Sequence, residues 1–392
     1  MNSLYANYPV REIASLLEQE CPNGVDFKSL GVLEDSNALE LGRGQVISAK
    51  KISEHPGDYP VYSSASKNNG IFGTYGLYMF EDARITWSVD SGGKFFYRRP
   101  HRYSVTNVSG WLKVHDESLI APKFLFHVLT AQWERKVFDY THKAHPSVIR
   151  NEYLIPLPPL EVQERIVEIL DSFTELDAVL RRERELRDAQ LNHYSEALLD
   201  FDNAGSGDYP SSEIVNMINT DHPGGVPRVT VGEHVKIENG RDWKSQPEGN
   251  VPVFGTGGPM GVFVEKEAHE GPSVLLPRKG SIGIQYVDHP FWNVDTVFST
   301  TVDPQTINIK FFYYAMCAVD LISLSTNSTR PSLTQTVLKK VRIPLPSIAI
   351  QERIVDVLDG FTDYSVNLDR EIELRQKQLE YYREQLLTFP TV

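Results

Sequence analysis

At 392 residues the chain exceeds one average domain, and its 41% apolar and 23% charged residues are ordinary for a protein that folds in water. Two cysteines, Cys21 and Cys317, exclude a disulfide framework or a cysteine metal cluster and fit a reducing, cytoplasmic setting. No apolar run approaches the ~18 residues of a membrane span, and a net charge of −13 argues against a uniformly basic nucleic-acid binder.

Residues 1–20 carry a short amphipathic pattern (Ile13, Leu16, Leu17), with Glu18 and Glu20 where a signal peptide would need apolar residues. The pattern stops at Cys21-Pro22-Asn23-Gly24, a turn signal. From Val25 to about Leu154 the texture is α+β. Strand-like runs at Ile71-Phe72, Tyr78-Met79-Phe80 and Arg84-Ile85-Thr86-Trp87 are broken by Gly and Asn. A helix is predicted over residues 122–138, with Pro122 in its first turn and Phe124, Leu125, Val128, Leu129 and Trp133 on its buried side.

Next comes the stretch around which the chain is organised. Ile155-Pro156-Leu157-Pro158-Pro159-Leu160 returns as Ile343-Pro344-Leu345-Pro346-Ser347-Ile348, a separation of 343 − 155 = 188 residues. The register holds without a gap over residues 155–201 and 343–389, with 26 of 47 positions identical, so the chain is an internal duplication. Each copy is a proline-rich extended entry followed by strong helix formers. Ile166, Leu170, Phe173, Leu180, Leu191, Tyr194 and Leu198 form one apolar stripe in the first copy. Ile354, Leu358, Phe361, Leu368, Ile372, Leu379, Tyr382 and Leu386 form it in the second. Such spacing is the seam of a two-helix coiled coil or a long helical hairpin. About 40 residues at ~1.5 Å each reach roughly 60 Å, more than one domain can cover. Thr174, Thr362 and Gly360 are local weak points where a helix can bend.

Residues 203–208 read as a polar linker, and a second α+β domain runs from about Tyr209 to Arg342. It echoes the first loosely: Gly24-Val25 in Gly225-Val226, Tyr59-Pro60-Val61-Tyr62 in Val251-Pro252-Val253-Phe254, Asn107-Val108 in Asn293-Val294, Lys123-Phe124 in Lys310-Phe311. The offsets drift, so loops differ in length while the core pattern persists. The predicted plan is residues 1–154, a first domain; 155–203, a first helical repeat; 204–342, a second domain; and 343–392, a second helical repeat. Residues 161–200 hold 11 acidic and 5 basic side chains and residues 347–387 hold 9 and 5, so the repeats carry −6 and −4 of the −13. Acidic helices suit a protein partner, leaving nucleic-acid contact to the near-neutral domains.

The chain resembles the specificity subunits of type I restriction-modification systems along its whole length. The entry string, hydrophobic-Pro-Leu-Pro followed by Gln and Ile, stands at residues 155–166 and 343–354; the Pro-x-Leu-Thr element stands at Pro331-Ser332-Leu333-Thr334, and altered at Pro146-Ser147-Val148-Ile149. This resemblance implies an α+β fold of two target recognition domains separated by two long helices packed as an antiparallel coiled coil, related by a pseudo-twofold. It implies a chain with no catalysis of its own, each domain reading half of an asymmetric bipartite site in double-stranded DNA, the helices setting the gap. Two modification subunits dock on it, bringing S-adenosylmethionine and adenine-N6 methylation; a restriction subunit adds ATP- and Mg-dependent translocation and cleavage. No cofactor is expected on this chain.

The residues add negative evidence. Neither Ser91-Gly92-Gly93-Lys94 nor Gly255-Thr256-Gly257-Gly258 has P-loop form, and no amino-methyltransferase string is present. His142 and His145 find no third ligand in sequence, so no metal site is expected. Base reading needs paired donors and acceptors on loops. Candidates in the first domain are Lys67, Asn68 and Asn69; Lys94, Arg98, Arg99 and Arg102; and Lys143 in the 140–143 stretch. In the second they are Arg241, Trp243 and Lys244; Arg278 and Lys279 beside Gly280; and Asn327 and Arg330. Trp87 and Trp292 are expected in the cores. The competing readings are a protein-protein scaffold with two binding domains on a coiled-coil spacer, and a standalone nuclease, for which the sequence offers no carboxylate cluster.

Overall fold

A computed structural model describes the chain except residues 1–3, 6–7, 65–67, 91, 139–141, 205–208, 281–282, 326–331 and 392, and the side chain of Asn68. The chain divides into two compact units, Met1–Arg181 with Glu371–Val392, and Arg182–Arg370. Each unit therefore holds one α+β domain, half of the first long helix and half of the second.

In the first unit the helices are α1 (Arg11–Glu20), α2 (Leu30–Asp35), α3 (Ala49–Glu54), α4 (Pro122–Trp133) and α5 (Pro146–Glu152), ahead of the long α6 (Leu160–Leu199). The strands are β1 (Phe27–Ser29), β2 (Leu39–Arg43), β3 (Tyr59–Tyr62), β4 (Ile71–Tyr75), β5 (Arg84–Ser88), β6 (Phe95–Arg98), β7 (Ser104–Val105), β8 (Ser109–Val114) and β9 (Leu154–Pro156). They form sheets of order β2-β8-β5-β6, β4-β3-β7 and β1-β9. The second unit repeats this with β10 (Arg228–Thr230), β11 (Val235–Asn239), β12 (Glu248–Gly255), β13 (Gly258–Val264), β14 (Ser273–Pro277), β15 (Gln285–Val287), β16 (Trp292–Asn293), β17 (Val297–Val302) and β18 (Arg342–Pro344). Its sheets are β11-β17-β14-β15, β13-β12-β16 and β10-β18, strand for strand the same order. Its helices are α7 (Ser212–Asp221), α8 (Val231–His234), α9 (Ile309–Cys317), α10 (Gln335–Lys339) and the long α11 (Ile348–Leu386).

Three expectations change in detail. The helix predicted over 122–138 ends at Trp133, where the indole N–H donates to the Gly92 carbonyl and the chain turns through Lys136 N–H to Trp133 O. Tyr78–Phe80 makes only a single bridge, Phe80 to Tyr103, and is not a strand. The echo of Asn107-Val108 in Asn293-Val294 is out of register by two residues. Thr106 N–H donates to Tyr62 O as Val294 N–H does to Phe254 O, so Val105-Thr106 is the structural counterpart of Asn293-Val294. Backbone pairing, not the recurring Asn-Val pair, sets the correspondence.

The proline entries work as the sequence suggests. Each is held extended as β9 or β18, pairing antiparallel with β1 or β10 before the long helix starts. Both helices run unbroken past Thr174, Thr362 and Gly360. The two threonine hydroxyls donate back to the carbonyls of Leu170 and Leu358, satisfied within their own helix. All fifteen stripe residues are buried or half-buried. In the first unit the start of α6 runs against the end of α11, with Phe173 stacked on Tyr382 at 5.4 Å between ring centroids. In the second unit the end of α6 runs against the start of α11, with Tyr194 on Phe361 at 5.0 Å. The helices are thus antiparallel partners in each unit, joined in the second by a two-pronged ion pair from Arg184 to Asp369. Part of the stripe also closes the domain cores. Ile166 and Leu170 pack with Leu33, Trp87, Phe124 and Leu386; Ile354 and Leu358 pack with Leu198, Val274 and Phe311.

Candidate nucleic-acid interface

Domain and helix are locked together by the same device twice. Gln163 is fully buried; its side-chain oxygen accepts Ala121 N–H at 2.9 Å, and its amide donates to Leu119 O at 3.0 Å and Pro158 O at 2.9 Å. Gln351 repeats this on Asn308 N–H, Thr306 O and Pro346 O. About two turns further on, Asp171 takes the Lys123 ammonium and the His127 Nε2–H, while Asp359 takes Lys310 and the Tyr314 hydroxyl. The His127 hydrogen bond and Lys123 hold the Asp171 carboxyl down at about 2 against its own partial burial. Burial pushes His127 below its usual range, and its buried Nδ1 has no partner among the described residues, so the ring is neutral and donates from Nε2. These junctions carry identities of the 188-residue repeat, yet the roles of Gln163, Gln351 and His127 escaped sequence reading because the domain groups they bond lie more than 40 residues away.

In the first domain three candidates come together. Lys94 and Arg99, both exposed, share with Asn69 a cleft of about 370 Å³ whose walls include Phe96, Tyr97 and Phe126. Arg98 lies beneath and is only 2% exposed. Its guanidinium stacks 3.6 Å from the Tyr62 ring, donates from Nε to Thr86 Oγ1 at 3.0 Å and from Nη1 to Asn69 Oδ1 at 3.1 Å. Burial lowers its pKa to about 10, leaving it cationic at neutral pH. Arg98 is therefore a buried brace under the Asn69 turn and not an open DNA contact, because the sheet that carries it turns it inward. Arg102 stands apart, with Nη1 donating to Tyr59 OH at 3.2 Å and its guanidinium 4.9 Å from the Tyr78 ring. Lys143 pairs with Asp90 at 2.8 Å, and neither lines the cleft. Lys67 and the Asn68 side chain lie outside the described residues.

The second domain gathers its candidates more tightly. Trp243 and Lys244 line a cleft of about 450 Å³ with the Gly255–Gly258 turn, Asp295 and Thr296. Arg278 and Lys279 tie to the same edge: their N–H groups donate to Thr296 O, and Arg278 Nη1 donates to Asp295 O at 3.1 Å. Arg241 is exposed, with its backbone N–H on Asn293 O and its carbonyl accepting Trp292 Nε1–H at 2.9 Å. Asn327 and Arg330 lie outside the described residues. Trp87 and Trp292 are 1% and 7% exposed, each with its indole N–H bonded to backbone, so they are core residues. Among the described residues no group of three or more His, Cys, Asp and Glu side chains could hold a metal ion, and no helix is long and apolar enough to cross a membrane.

A duplicated α+β domain with altered loops, mounted twice on one pair of antiparallel helices, defines a two-headed recognition protein. The comparisons agree. The profile of the family described as "Type I restriction modification DNA specificity domain" matches residues 38–186 and again 224–376, and the chain belongs to that family. A candidate type I specificity subunit of Mycoplasma pneumoniae is 27% identical over 361 residues, covering 88% of this chain and 94% of its own. The specificity subunit of the Escherichia coli type I enzyme EcoR124I/EcoR124II is 29% identical over 280 residues, 66% of each chain. The crystal structure of a type I S subunit from M. genitalium superposes with a TM-score of 0.63 at 16% identity, covering 94% of this chain and 98% of its own, a likeness of fold. The protein is a type I restriction-modification specificity subunit.

Proposed function

We propose that this chain reads and assembles for a DNA methyltransferase and carries no catalytic step itself. Each domain binds one half of an asymmetric, bipartite target in double-stranded DNA. The 40- and 39-residue helices set the unspecific gap and dock two modification subunits. S-adenosylmethionine, and in a complete restriction complex ATP and Mg, belong to those partners. The observation that carries this reading is the contrast between junction and loop. Gln163 and Gln351 make the same three hydrogen bonds, whereas the polar loops above the small sheets share neither length nor residues. A kept scaffold with changed loops is what two different half-sites demand of one fold. Two similar acidic helical faces are what two copies of one partner demand. A spacer then turns two weak contacts into one strong event at a fixed separation.

Methylome sequencing of a host expressing the chain with its modification subunit tests this. A single bipartite motif with methylated adenines is expected, and exchanging residues 25–154 for another such domain should change one half only. Change in both halves, or no sequence preference at all, defeats the reading; the latter would favour the protein-protein scaffold.

A further inference from the structure

The two domains share one backbone position that aims a long polar side chain outward from the same place. Gly44 N–H donates to Ser109 O, and Gly240 N–H donates to Val297 O. The next residue then hooks onto the short third strand of the small sheet: Gln45 N–H to Val105 O at 3.0 Å, Arg241 N–H to Asn293 O at 2.9 Å. Those acceptors are themselves equivalent, each one residue before the N–H that bonds Tyr62 O or Phe254 O. The preceding glycine is obligatory in both. A Cβ on Gly44 would sit 2.2 Å from Thr106 O, and one on Gly240 would sit 2.0 Å from Val294 O. The backbone is pressed onto its strand so that Gln45 and Arg241 leave at a set point, and both side chains are exposed. Neither makes a side-chain hydrogen bond or ion pair with the described residues, whereas Arg43, Lys50 and Lys51 near Gln45 are all engaged. Each lies beside basic residues, Lys50 and Lys51 in the first domain and Lys244 in the second.

We infer that Gln45 and Arg241 are the same base-reading position in the two domains, holding different residues because the two half-sites differ. This rests on the reading of each domain as a half-site binder. Glutamine is neutral, so neutralising phosphate charge does not account for its occupying the place of an arginine. Paired hydrogen-bonding geometry does account for it. Gln fits the N6 and N7 of adenine, and Arg fits the O6 and N7 of guanine, in the major groove. The first half-site then holds an adenine opposite Gln45 and the second a guanine opposite Arg241.

The test uses the full chain with its modification subunit. Methylomes are read for wild type, Q45R and R241Q, and affinities are measured on duplexes carrying single base changes. Wild type first establishes that the target is bipartite; if it is not, the parent reading has failed and this inference falls with it, whatever the variants do. With a bipartite target, Q45R should switch or relax one base of the first half only, and R241Q one base of the second only, with roughly tenfold to hundredfold loss on the original base. The unaltered half of each motif reports that the variant is folded. Unchanged motifs overturn the inference. So does a loss equal on every duplex with the salt dependence reduced by about one counterion, the mark of a phosphate contact. Should an exchange abolish methylation altogether, Q45A and R241A decide by the same criterion in the binding assay.

Discussion

The side-chain oxygen of Gln163 accepts the backbone N–H of Ala121 at 2.9 Å, across 42 residues of sequence. Ala121 is the N-cap residue of α4, and Gln163 satisfies its backbone N–H from the long helix, the role that a Glu or Gln at the third helical position plays in a capping box. Every hydrogen-bonding direction of this buried amide bar one is used, and Gln351 repeats the arrangement on Asn308. Domain orientation on its helix is thus set by hydrogen bonds that tolerate little error in geometry.

Replacing Gln163 by Ala strands the Ala121 N–H and the carbonyls of Leu119 and Pro158 in a buried site. The expected loss is about 3 kcal/mol, with Q351A alike in the second domain. Chemical denaturation of the single variants measures it. A loss below about 0.5 kcal/mol in both would mean the amide is not what fixes the junction.

The helix seam makes a second expectation. Phe173 stacks on Tyr382 with an interplanar angle of 22°, and Tyr194 on Phe361 with 29°. Truncating Phe361 or Phe173 to Ala removes both contact area and ring pairing, costing about 2–3 kcal/mol at these half-buried positions. A double-mutant cycle on Tyr194 and Phe361 should show coupling of about 1 kcal/mol, and additivity would show that the rings do not support each other.

Much of this frame was legible beforehand, and the reason is periodicity. An apolar stripe recurring every three to four residues, twice at a spacing of 188, specifies two helices and the side each buries. The proline entries implied an extended lead-in, which the structure holds as β9 and β18, because Pro pushes the residue before it out of the helical region. What pattern cannot carry is which distant groups meet. Gln163 reads as an ordinary helix former, and its role exists only through Leu119, Ala121 and Pro158. Arg98 reads as a DNA-facing cation because it follows Tyr97 and precedes Arg99, yet alternation along β6 turns it inward onto Tyr62. Gln45 drew no attention because its counterpart Arg241 lies 196 positions away, off the register of the helices.

Arg98 permits a direct check of its reassignment. R98M keeps much of the apolar volume but removes the donors that hold Thr86 and Asn69. The first domain should lose about 2 kcal/mol and the first half-site should blur, while the second half-site stays as in wild type. A variant of unchanged stability whose DNA affinity drops and whose salt dependence flattens would instead place Arg98 on the nucleic acid.

The two junctions differ in one residue that titrates. His127, buried and neutral, stands where the second domain has Tyr314, and Tyr314 reaches Asp359 at 2.8 Å without any change of charge near neutrality. The groups facing His127 are Asp171, Lys123 and, further off, Arg383. Its folded pKa is depressed, so the unfolded chain binds the proton first. Stability is full above the ordinary histidine value of 6.5 and falls as pH drops below it. Asp171 acts in the same direction lower down, its contribution being present above 3.8 and lost as pH falls toward about 2. Between pH 7 and pH 5 the histidine therefore dominates the loss in this junction. His127→Tyr, copying the second domain, should flatten the first unit's unfolding midpoint over that interval while leaving the decline near pH 3. The midpoint measured against pH for wild type and H127Y decides. If the two curves stay parallel from pH 7 to 5, the acid sensitivity lies elsewhere.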